Sequence, residues 1–175
     1  MTDPQRRAAV VTAGSILLTG AAGCASHLAA PNNAGTTHAA GTTQTAGTTH
    51  AAAAHYMAIA RPANRELDHE FDGLKHHEQD NLAGARADLR AAAATERHFD
   101  RQLMAISFSP PAGPVVLLLY RVNQARATLT STAAGAVSLS QLRGYQQRLD
   151  AANEPVEDAV RVIRDQLGLP PPDTS

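Results

Sequence analysis

Several things are scarce in this sequence. Its 175 residues include one cysteine, no tryptophan and only 3% aromatic side chains, and the formal net charge is −1. A single cysteine excludes a disulfide-stapled module. A near-neutral balance with so few aromatics speaks against nucleic acid as a partner, because that role needs a basic surface with rings to stack on bases. Long apolar runs are missing too: residues 115–120 form a continuous stretch of six, whereas a spanning helix needs about 20. Catalytic signatures are equally absent. There is no Gly-x-Ser-x-Gly elbow and no Gly-Lys-Ser/Thr phosphate loop, so the sequence predicts a non-catalytic protein.

The charges that are present divide the chain. Asp3, Arg6 and Arg7 come first, then residues 8–60 contain no Asp, Glu, Lys or Arg. The remaining 13 basic and 15 acidic residues fall within residues 61–175, which is enough chain for one modest core. Within it, residues 102–149 carry Arg121, Arg126, Arg143 and Arg148 with no acid, and residues 150–175 carry six acids against two arginines. The expectation is that the arginines pair inside the folded unit, with contact to anionic lipid or cell-wall polymer as the alternative.

Residues 1–23 place two arginines before a mainly apolar stretch and then small residues, the order of a signal peptide. Ala-Ala-Gly stands directly before the sole cysteine, Cys24. On these residues the amino terminus resembles a bacterial lipoprotein precursor, with Ala21 where such lipoboxes most often carry leucine. The resemblance covers 24 residues and implies that Cys24 is acylated and becomes the first residue of the mature chain. It further implies export and lipid anchoring at the outer face of the cell membrane, which two or more acyl chains would make stable.

Residues 24–60 read as a tether. Three imperfect copies of Ala-Gly-Thr-Thr begin at Ala34, Ala40 and Ala46, and nothing among them is bulky enough to offset the entropy of ordering. His27, His38, His50 and His55 are too widely spaced on such a tract to fix a metal geometry.

From Pro62 the pattern turns helical. Pro62 suits a first turn and Asn64 a cap, and Leu67, Phe71, Leu74, Leu82, Ala85, Leu89, Ala92, Phe99, Leu103 and Ile106 recur every three or four residues. Glu78 and Glu96 fall on the same stripe. This predicts one helix of about 42 residues, unless Gly73 or Gly84 interrupts it. The prolines at 110, 111 and 114 end it. Val115, Leu118, Val122, Ala125, Leu129, Thr132 and Ala136 form a second stripe, and a third runs from Leu139 to Leu167, with Ser138 as its cap and Asn153-Glu154-Pro155 as a restart or kink. Gly168 and three prolines close the structure. The expected class is all-α: an elongated antiparallel bundle of three or four helices over residues 61–169, with a two-helix coiled hairpin as the alternative and a free tail at 170–175.

The densest chemistry lies in residues 66–80, which hold six carboxylates and three histidines. Glu66 and His69 have the Glu-x-x-His spacing of bundle di-iron sites, but no second such motif follows, and on a helical wheel most of these ligand types point away from the apolar stripe. A solvated acidic face is the first expectation. The alternative is a divalent transition metal held by His69, Asp72, His76, His77 and Asp80. The sequence therefore predicts an exported, lipid-anchored interaction or structural module without a cofactor, whose partner is an envelope protein or polymer, with self-association a further option.

Overall fold

A computed structural model describes residues 40–174, together with Ile16–Leu17, which pair antiparallel with Asp173–Thr174. Cys24, the rest of the lipobox and most of the leader lie outside the described residues. The described chain is all-α, with four helices: α1 (Ala40–His77), α2 (Leu82–Met104), α3 (Gly113–Ala133) and α4 (Leu139–Gln166). Helix α1 packs along α2, α2 along α3 and α3 along α4, an up-and-down bundle joined by short connections.

The first helix begins 21 residues before the expected boundary at Arg61. Composition misled here, because residues 51–60 carry no charge and look like more tether. They are nevertheless rich in alanine, the strongest helix former, and their side chains recur at helical spacing toward the interior. Ala52, Ala53, Tyr56, Ala60 and Ala63 are all buried, and the Tyr56 ring meets Phe99 edge-on with centroids 6.3 Å apart. Burial pushes the Tyr56 phenol up to about 12, against a smaller opposing pull from Arg164. Pro62 and Asn64 accordingly sit inside α1 rather than at its start, and Pro62 removes one hydrogen bond, to the Ala58 carbonyl.

The predicted 42-residue helix is two helices. Asn81 caps α2, its Oδ1 accepting from Gly84 N at 2.9 Å, and the chain reverses over residues 78–81. Gly84 is required by the closeness of that reversal: a Cβ there would lie 2.6 Å from His77 Cγ. A 3₁₀ turn, Pro110–Ala112, then leads into α3, as the prolines require.

On α3 the buried residues are Val116, Leu119, Asn123, Ala127, Thr130 and Ala133. Within α3 the expected stripe is displaced, mostly by one residue or about 100° around the helix, whereas Ala136 beyond its end is buried as expected. Leu118 is left 50% exposed, and two polar residues face inward instead. The third stripe holds. Leu142, Val156, Ala159, Val160 and Ile163 are buried, and Ser138 Oγ caps α4 by accepting from Gln141 N at 3.1 Å, while Gln141 Oε1 accepts from Val137 N at 2.7 Å. Pro155 lies within α4, which runs through residue 153 without a restart. Gly168 ends it with φ +66°, and Leu169 N returns to Arg164 O at 2.9 Å. The tail expected to be free from residue 170 is pinned at its start: Arg164, 2% exposed, donates from Nε to Pro170 O at 2.6 Å and from Nη2 to Pro171 O at 3.4 Å.

The core comes in two apolar halves. One end of the bundle gathers Tyr56, Leu103, Val116, Leu119, Val156 and Ile163. The other gathers Ala85, Leu89, Ala133, Ala134, Ala136 and Leu142, with Leu74 and Leu149 packed against them.

Candidate functional site

Most of the ligand types predicted on residues 66–80 face solvent. Glu66, His69, Asp72, His76 and Asp80 are exposed, and His77 and Glu78 are half-buried. The candidate metal set of His69, Asp72, His76, His77 and Asp80 is not drawn together. Asp72 Oδ1 instead takes a 3.0 Å ion pair from Lys75 Nζ one turn on, and His77 Nδ1 lies 2.7 Å from Asp88 Oδ2 on α2. Among the described residues no three His, Cys, Asp or Glu side chains converge as metal ligands.

Glu70, also half-buried, turns inward and accepts at Oε1 from Thr95 Oγ1 at 2.9 Å. It belongs to a polar layer between the two apolar halves. Arg126 on α3 donates from Nε to Glu96 Oε1 on α2 at 2.6 Å, and Glu96 is only 1% exposed. Asn123 donates from Nδ2 to Asp100 Oδ1 at 2.9 Å and to the Glu96 carbonyl at 3.3 Å. Among the described residues, Glu70 Oε2, Glu96 Oε2 and Asp100 Oδ2 have no hydrogen-bond partner. Taking these acids out of water favours the neutral form. Burial therefore raises Glu70 and Glu96 above the usual carboxylate range, for Glu96 against the pull of Arg126, and pushes Asp100 up to about 6.

Next to this layer the bundle is open. Helices α1 and α4, the pair that would close it, are tied at one end by Gln146 Nε2 donating to Glu78 Oε2 at 2.9 Å and at the other by Arg164 Nη1 against Met57 Sδ at 3.8 Å. Between these ties lies a groove with a cavity of about 120 Å³. Leu67, Phe71, Leu74, Leu149 and Val156 supply its apolar surface, and Arg126 and Thr130 of α3 line its floor. The charged residues lining it are Asp68, Asp72, Glu78, Asp150 and Glu157 against Lys75 and Arg126. Arg126 links the two features, since its guanidinium holds Glu96 and also lies 6.0 Å from the Phe71 ring centroid. Concave, largely apolar and edged by a few charges, the groove has the makeup of a small-molecule site.

Sequence reasoning caught parts of this. Glu96 was visible as a polar residue on an apolar stripe, and the expectation that arginines pair within the bundle holds for Arg126. Asp100 and Asn123 were missed. The available signal was spacing: Asp100 follows Glu96 by one turn, and Asn123 precedes Arg126 by three residues, so each pair shares a helix face. The α4 side of the groove, Asp150 and Glu157, carries no signal until α1 is placed beside it. No family model, no curated protein and no solved structure matches the chain.

Proposed function

We propose that this protein is exported, anchored by acyl chains on Cys24 at the outer face of the cell membrane, and acts there as a non-catalytic interaction module whose working face is the groove between α1 and α4. The observation that carries the reading is the groove itself. A bundle that served only as a spacer would gain by closing α1 onto α4, whereas here half-buried leucines and a phenylalanine line an opening edged by carboxylates. The Ala-Ala-Gly-Cys24 sequence supplies the anchor in this reading.

Metabolic labelling with a palmitate analogue, followed by membrane fractionation, tests it. The wild-type chain is expected to carry the label and sediment with membranes, with the Cys24→Ala chain unlabelled and released. Equal sedimentation of both chains without label would overturn the anchor.

A further inference from the structure

The charge and shape of the groove go further and specify a class of ligand, an inference that rests on reading this face as the working one. Five carboxylates line it against two cations, and both cations are already engaged: Lys75 with Asp72 at 3.0 Å and Arg126 with the buried Glu96 at 2.6 Å. The excess is negative, and it is borne chiefly on the α4 edge by the exposed Asp150 and Glu157. Beneath that edge the surface is hydrocarbon. Leu67, Phe71, Leu74 and Leu149 are half-buried, so an apolar body laid on them loses water on both sides. Size is the third constraint. A cavity of about 120 Å³ is slightly smaller than the dry 150 Å³ cavities known to take a benzene ring, so it suits one ring or a short branched chain projecting partly into the opening.

We propose that the α1/α4 groove binds a small organic cation with an apolar body of about one ring, the body resting on Phe71, Leu74 and Leu149 and the charged end standing between Asp150 and Glu157. A bare metal ion would leave the apolar surface unused, and an anion would meet like charge at the rim. Because the rim carboxylates are solvated, charge should set selectivity more than it sets total affinity.

Isothermal titration of the full chain carrying Cys24→Ala tests this independently of the anchor, since the acylated and unacylated chains are expected to bind alike. The probes are phenethylammonium, neutral 2-phenylethanol, 3-phenylpropionate and a basic amphipathic peptide. Phenethylammonium should bind about tenfold more tightly than 2-phenylethanol, with 3-phenylpropionate weakest. The Asp150→Asn, Glu157→Gln chain should lose most of that preference while keeping its helical spectrum and its affinity for the neutral probe. Equal affinity for the cation and the alcohol, a preference untouched by the double substitution, or binding of the peptide alone would each overturn the proposal. Failure of palmitate labelling would leave it standing, so the two readings fail separately.

Discussion

Three of the four helix seams in this bundle are packed along their length, and the fourth opens between its ends into a groove. The closed seams are made with small side chains: Ala85, Ala92, Ala93, Ala127 and Ala133 let backbones approach, and Leu89, Leu103 and Leu119 fill what remains. The α1/α4 seam carries larger residues, Leu67, Phe71 and Leu149, at half burial and with carboxylates along its edges. Midway along the bundle, where this seam is open, the core also turns polar, with Glu96, Asp100, Asn123 and Thr130 buried. The difference shows a division of labour, in which the apolar ends carry the stability and the middle spends part of it on charge and shape.

The sharpest way to break that division is to strand a buried charge. Arg126→Ala removes the ion-pair partner of Glu96, which is 1% exposed, and leaves it only the weaker pull of Arg97; it should destabilise the fold by about 3–5 kcal/mol at pH 8. The loss should shrink as the pH falls, because protonation relieves the stranded acid; chemical denaturation at pH 8 and pH 5 checks both statements. A truncation at an apolar end, Leu103→Ala, removes a fully buried side chain from the packed half and should cost about 2–5 kcal/mol at either pH.

The polar layer also makes a pH dependence. Asp100 is ionised more readily unfolded than folded, its folded value standing near 6 against an ordinary 3.8. Its stabilising contribution is therefore complete below about pH 4 and lost as the pH rises through 6, and Glu70 and Glu96 act in the same direction. The wild-type chain should accordingly be more stable at pH 5 than at pH 8, with Asp100 supplying on the order of 1–2 kcal/mol of the difference. Asp100→Asn, which can still accept from Asn123, should remove that part and raise stability at pH 8. A wild-type chain more stable at pH 8 would count against the buried acids as described.

The parts of the fold that were legible in the sequence are those where local chemistry decides. Proline stops after α2, the Ser138 cap, the α4 stripe and the Gly168 terminus follow from residues acting on their immediate neighbours. What was hidden depends on partners distant in sequence. No charge marks the start of α1 in the sequence; Ala52, Ala53 and Tyr56 become core only because α2, α3 and α4 stand around them. The register of α3 reads wrongly because Asn123 and Thr130 look like surface until Asp100 and Glu96 are known to face Asn123 from α2. The groove was the least legible feature, since its two edges come from segments separated by some 70 residues.

Whether the open seam is a binding face or merely loose core is decided most directly at Leu149, by measuring stability and phenethylammonium affinity on the same Leu149→Ala protein. The expected result is a stability loss of about 1 kcal/mol, well short of that of Leu103→Ala, with affinity weakened several-fold. A stability loss matching Leu103→Ala with affinity unchanged would contradict it and return the seam to the core.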